Sequence, residues 1–290
     1  MSERVSSAPA IGLATDDDVA HFAGRRCSDE HERALYYHLA ETSPRGVFVA
    51  KDEGTPIAIA IAHELQDEWF LSEFFVEPSF RRAGLGHALL AEVAREAGDV
   101  SRSGMLQTTE SGGLAFFARH GVPIQTPVLA VSGPIPKEDE LLRLAAGENR
   151  FRTEMIDPIG HRSALSALDR ETRGAARPDD HRYFAENAHG VAFYLQNEYV
   201  GYAYVWENGR IGPIAVQSAT YATQVYGFAL AALAGVYRAS WCTALLPGTN
   251  LRVLRAAISA GLAIDSVRLF ASDNAMIDLS RYVGFHRLLF

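Results

Sequence analysis

The chain has 290 residues, of which 48% are hydrophobic and 21% charged, and its formal net charge is −8. These proportions suit a packed protein of two domains and exclude an intrinsically disordered one. The acidic balance argues against a general nucleic-acid partner. No run approaches the ~18 consecutive apolar residues of a membrane span. The opening MSERVSSAPAIGLATDDD has no apolar core of signal-peptide length, so a cytoplasmic protein with no membrane partner is expected. Cys27 and Cys242 lie in opposite halves and offer no disulfide framework.

In chain order, an amphipathic helical stretch over about 15–41 precedes GVFVAKDEGTPIAIAI, two apolar strands around a turn at Asp52-Glu53-Gly54. A strand ending at Val76, a helix entered at Gly86, the strand SGMLQTTESGG and a helix reaching Gly121 follow. Residues 134–150 read as a linker that opens with prolines and holds the short helical pattern KEDELLRLAA. The same order then returns. A helical stretch over about 161–187 leads to the hairpin GVAFYLQNEYVGYAYV around Gln196-Asn197-Glu198, then a strand ending at Val216. A helix through Gly227, the strand SWCTALLPGTN and a helix reaching Gly261 complete it. The offset stays near 140–144 residues, which argues for duplication. The expected division is a first domain over 1–133, the linker, and a second domain over 151–290. Each is of the α/β (α+β) class, a sheet with helices packed on it.

The segment FFVEPSFRRAGLGHALLAEVARE carries the chemistry. Pro78 ends a buried strand, and Ala88, Leu89 and Val93 sit at core spacing on the helix that follows. Between them lies Arg81-Arg82-Ala83-Gly84-Leu85-Gly86-His87. Two glycines entering a helix let backbone N–H groups converge at the positive end of the helix dipole, a site suited to a pyrophosphate. No Lys-Ser/Thr pair follows Gly86, so this is not a P-loop. It also follows a hairpin and a third strand, where a dinucleotide fingerprint would open a βαβ unit.

These residues resemble the pyrophosphate loop Q/R-x-x-G-x-G/A of the GNAT superfamily of acyl-CoA-dependent N-acyltransferases. Arg81 through Gly86 match the loop, Val76-Glu77-Pro78 the V-x-P lead-in, and Ala88-Leu89-Leu90 the following helix. The resemblance implies tandem GNAT folds, each a mixed, mostly antiparallel sheet with splayed fourth and fifth strands. It implies acetyl-CoA or another acyl-CoA as cosubstrate. The backbone of Phe74, Phe75 and Val76 would meet the pantetheine arm, and the N–H groups of Arg82 through His87 the pyrophosphate. The second copy is degenerate, since Gln217 through Tyr226 lack the Arg and the paired glycines.

Acyl transfer to an amine needs a base, a donor for the carbonyl oxygen and a proton for the leaving thiolate. Candidate bases are Glu68, Glu73, His63 and Glu64, with Glu73 preferred and His63 second. Strand alternation sets Glu68 and Glu73 on opposite faces unless a bulge intervenes. The resemblance places a Tyr donor where this chain has Phe117, and an Asn where it has Glu110. The expected activity is therefore N-acyl transfer, most simply acetyl transfer, to a small-molecule or peptide amine, without a metal. The rival is an acyl-CoA-binding protein with a regulatory role. Net acidity favours a cationic acceptor, and a homo-oligomer is compatible with the sequence.

Overall fold

The computed structural model describes residues 9–95, 97–108 and 111–290. Two compact units divide the chain. Of the described residues, those within 9–64, 68–104 and 111–122 make the first, and those within 65–67, 105–108 and 123–290 the second.

The first unit begins with β1 (Ala10–Leu13), a short edge strand with no clear signal in the sequence. The expected single helical stretch is two helices, α1 (Asp16–Arg26) and α2 (Glu30–Thr42). Thr15 caps the first in a reciprocal box with Asp18, and Asp29 caps the second by accepting from the Glu32 N–H. Then come β2 (Val47–Asp52), β3 (Thr55–Glu64), β4 (Glu68–Val76), α3 (Leu85–Arg95), β5 (Ser101–Gln107) and α4 (Ser111–Arg119). The β2–β3 turn puts Glu53 and Gly54 at φ 47° and 83°, the left-handed pair that matches strand twist in a two-residue hairpin. The strands lie in the order β1-β2-β3-β4-β5, antiparallel except for the parallel β4–β5 pair.

The second unit contains β6 (Ile124–Pro134), α5 (Glu138–Ala145), β7 (Arg152–Met155), α6 (Arg162–Arg173), α7 (Pro178–Asn187), β8 (His189–Leu195) and β9 (Glu198–Val205). It continues with β10 (Ile211–Val216), α8 (Ala219–Tyr237), β11 (Trp241–Pro247), α9 (Leu251–Ser259), β12 (Ala263–Ser272) and β13 (Tyr282–Val283). Gly174 at φ 103° ends α6 and Pro178 opens α7, so this helical stretch is also broken in two. The hairpin turn repeats the first, with Gln196 and Asn197 at φ 51° and 67°. One sheet runs β13-β10-β9-β8-β7, and β6 lies antiparallel between β11 and β12. The sequence reading places this β6 segment in the first domain; in the structure both its partners carry it into the second unit.

Under the α6–α7 pair lies a buried ionic network. Asp169 Oδ2 accepts from Arg177 Nε and lies against His181 Nε2, both at 2.9 Å. Tyr202 donates to Asp169 Oδ1, and Arg177 Nη2 reaches the hydroxyls of Tyr202 and Tyr282 at 3.0 Å. All five side chains are buried. Burial alone would raise the Asp169 carboxyl; the pull of Arg177 and His181 outweighs it and holds the group well below the usual carboxylate range. Among the described residues, no helix is long and apolar enough to cross a membrane.

Candidate active site

The site is built on β4. Glu77 N–H donates to Ile57 O at 2.9 Å, which fixes the hydrogen-bonding phase of the antiparallel β3–β4 pair. By alternation the backbones of Phe75 and Glu73 face β3, while those of Phe74 and Val76 face the other way. On that other side β5 pairs only from Glu68↔Ser101 to Leu71↔Gly104. Past Leu71 the pairing stops, and the edge of β4 opens. Val76 O accepts from Arg81 Nε at 2.8 Å, and the Phe74 N–H donates to Glu73 Oε1 at 3.2 Å. The Val76 N–H and Phe74 C=O are aimed at the opening. Phe75, grouped with them in the sequence reading, instead sends its ring to the opposite face, edge-on to Phe22 and 4.3 Å under the Arg26 guanidinium.

After Val76 the chain makes one tight turn, Pro78–Phe80, and enters the loop. Arg82 and Gly84 have φ of 69° and 82°, and Gly84 O accepts the first helical bond of α3, from the Ala88 N–H at 3.0 Å. Left-handed residues this close together turn successive N–H groups inward, and the first-turn donors of α3 have no partner within the helix. Arg81, Arg82, Ala83, Gly84 and His87 are exposed, whereas the Leu85 side chain anchors the loop in the core. The two glycines serve different ends. A Cβ on Gly84 meets nothing within 4 Å, so its backbone conformation is the constraint. A Cβ on Gly86 would lie 2.9 Å from Phe74 Cζ, so Gly86 lets the helix close on β4.

The pairing of β3 with β4 shifts register between Ile61 and Ala62, leaving Ser72 as an extra residue on β4. The bulge brings Glu68 and Glu73 to one face, the face that α1 and α2 cover. Glu68 sits at the closed end, where it accepts from Ser103 Oγ at 2.6 Å. Glu73 sits where the strands part. Its Oε2 accepts from the Tyr36 hydroxyl at 2.5 Å, and its Oε1 is 3.6 Å from Arg26 Nη2. His63 shares the face but is tied up. Its Nδ1 is 2.9 Å from Ser43 Oγ, which also accepts from the Glu64 N–H, and its ring faces His38. Tyr36 and Arg26 are site residues that sequence reading missed, because each looks like an ordinary member of an amphipathic helix. Phe117 is buried, its ring filling the space beside Gly104, where a Cβ would approach it to 2.7 Å. Glu110 lies outside the described residues. Among the described residues no three His, Cys, Asp or Glu side chains gather as a metal site.

The corresponding elements of the second unit are closed. Helix α8 is capped at Ser218 and already helical from Ala219, so residues 219–226 are helix where the first unit has its loop. Strand β10 pairs with β13 through Ile214↔Val283 and Ala215↔Tyr282, and Gly284 exchanges two backbone bonds with Leu245 of β11, at 2.9 and 3.0 Å. Cys242 of β11 is fully buried, which pushes its thiol up to about 12.

A model of the acetyltransferase (GNAT) family matches residues 16–122. No curated protein matches the chain in sequence. A candidate acetyltransferase from Pyrococcus horikoshii superposes with a TM-score of 0.76 at 13% identity, covering 100% of this chain and 98% of that one. A tandem GNAT protein from the clavulanic acid biosynthesis pathway gives a TM-score of 0.61 at 14% identity, with 91% and 98% coverage. A GCN5-related N-acetyltransferase from Sphaerobacter thermophilus gives 0.58 at 14%, with 91% and 95%. At such identities the likeness is one of fold. Residues 16–122 carry the pattern of the GNAT acetyltransferase family, and the chain as a whole shares its fold with these structures.

Proposed function

We propose that the first unit binds acetyl-CoA or a related acyl-CoA and passes the acyl group directly to an amine. The reading rests on one observation: the open edge of β4, with the backbones of Phe74 and Val76 facing it, runs into a loop with Arg82 and Gly84 in left-handed conformations at the start of α3. An amide-bearing arm would add to that edge as a strand does, and two linked phosphates suit the loop, with Arg81 and Arg82 beside it. Glu73 is the base. Its carboxylate takes a proton from the acceptor ammonium, and the neutral amine attacks the thioester carbonyl. The C–N bond forms and the C–S bond breaks. The second proton of the nitrogen goes to the departing thiolate, and Glu73 returns its own to solvent. A β4 N–H at the opening meets the charge that grows on the carbonyl oxygen. The acceptor is a primary amine of a small molecule or peptide, the reaction uses no metal, and the second unit holds no acyl-CoA.

Gly84→Glu tests the reading. The side chain has room, but it forces a strained backbone and adds negative charge to the anion site. Calorimetry with acetyl-CoA is expected to show affinity reduced at least 100-fold, and unchanged affinity would end the proposal. A second reading, an acyl-CoA sensor, is favoured by Phe117, which has no proton to give a thiolate. Thiol release from acetyl-CoA over a panel of amines separates the two: binding without release supports the sensor.

A further inference from the structure

We propose that Tyr36 is the positioning residue of the Glu73 base, holding the carboxylate by Oε2 so that Oε1 covers the Phe74 N–H until an acceptor amine draws it away. This rests on the acyl-transfer reading and adds to it a side chain from α2. Glu73 is 5% exposed and Tyr36 fully buried. A carboxylate this deep needs donors on both oxygens. Tyr36 supplies the short bond to Oε2, leaving Oε1 between the Phe74 N–H and Arg26 Nη2.

The consequence is an exchange. Oε1 accepts from an N–H that points at the opening of β4. An arriving ammonium offers Oε1 a stronger, charged donor. When Oε1 turns to it, the Phe74 N–H is released at the place where the thioester oxygen needs one. Tyr36 keeps Oε2 fixed, so the carboxylate pivots rather than leaves. Arg26 of α1 cannot replace it: its side chain is one-quarter exposed and stacks on Phe75. Among the described residues, the other titratable groups on this face include His63 of β3, His38 of α2 and Glu68 of β4; Ser43 bonds His63, Ser103 bonds Glu68, and the His38 ring packs on His63.

The test compares Tyr36→Phe with the unaltered protein by two readouts. Carbon-13 NMR of labelled glutamate, with Glu73→Gln to assign the signal, follows the carboxyl titration and needs neither acyl-CoA nor acceptor. Losing a donor to the charged form is expected to move the Glu73 midpoint up by about one pH unit. Thiol release from acetyl-CoA with primary amines is expected to fall about tenfold, its acid limb shifting the same way, while calorimetric affinity for acetyl-CoA stays within twofold. An unmoved Glu73 midpoint in a folded Tyr36→Phe protein overturns the proposal. Should Tyr36→Phe not fold, the unaltered protein decides: a Tyr36 hydroxyl proton whose NMR shift follows the Glu73 titration supports it, and one indifferent to that titration overturns it. Failure of the unaltered protein to bind acetyl-CoA removes the acyl-transfer reading instead, and leaves the titration to judge the Tyr36–Glu73 pair.

Discussion

In the first unit the end of β4 keeps a backbone edge clear of any strand among the described residues, whereas β10 of the second has Tyr282 and Val283 laid along it. The carboxylates beneath these edges differ in the same sense. Glu73 keeps one oxygen against a backbone N–H and a partly exposed Arg26. Asp169 has both oxygens committed to Arg177, His181 and Tyr202, all buried, and Tyr282 closes the network from the added strand. A duplicated fold has thus been finished in two ways. One copy leaves a stretch of strand edge open, and the other covers the matching edge with its own chain. Backbone groups along a strand need partners, and those of β10 that face β13 find them within the chain.

The sharpest way to break this comparison is to remove each carboxylate. Asp169→Asn leaves Arg177 buried without its counter-charge and is expected to cost ~3–5 kcal/mol in urea unfolding. Glu73→Gln, which can still accept from Tyr36, is expected to cost no more than ~1.5 kcal/mol. Acid tells the same story. Because the folded Asp169 carboxyl lies below its unfolded value of ~3.9, its contribution is complete above about pH 5 and is lost as pH falls toward and below that value. Asp169→Asn removes that component of the acid sensitivity. Equal costs for the two variants would mean that Glu73 is as purely structural as Asp169.

Binding gives the next largest effect. Gly84→Glu is expected to weaken acetyl-CoA at least 100-fold, or ~2.7 kcal/mol. Thr220→Glu, exposed in the first turn of α8, is expected to leave affinity within twofold and stoichiometry at one per chain. Two sites per chain in calorimetry would break the comparison outright.

A smaller effect tests the added strand itself. A Cβ on Gly284 would run into the Phe290 ring, which packs against Phe270 and Tyr282. Gly284→Ala is expected to cost ~1–3 kcal/mol, since a filled core has nowhere to put the methyl. A variant as stable as the parent would show the segment to be loosely held.

What the sequence disclosed, and what it hid, follows from the range of the interactions. The hairpins, the Gly84–Gly86 loop and the helix that follows are written in adjacent residues, and were legible. The breaks within the two helical stretches were legible in principle, from Asp29 and from Gly174 with Pro178, but apolar spacing masked them. The Ser72 bulge has no Gly or Pro to announce it, so the shared face of Glu68 and Glu73 could only be entertained. The partners of β6 and the strand laid on β10 are chosen across more than a hundred and about seventy residues respectively, where local pattern carries no information. Tyr36 was invisible for the same reason, since its meaning depends on a glutamate 37 positions away.

The mildest expected effect probes the feature the halves share most closely. Glu53 and Gln196 each take the first left-handed position of a two-residue hairpin, at φ 47° and 51°. Neither residue favours that region, whereas Asn tolerates it. Glu53→Asn and Gln196→Asn should each stabilise by about 0.5 kcal/mol, seen as a raised urea midpoint with unchanged m-value. Because the turns are alike and both side chains are exposed, the two increments should agree within a few tenths of a kcal/mol. A gain in one hairpin and a loss in the other would mean that the turns, for all their similar angles, are held by different surroundings, and the likeness of the halves would then stop at the backbone.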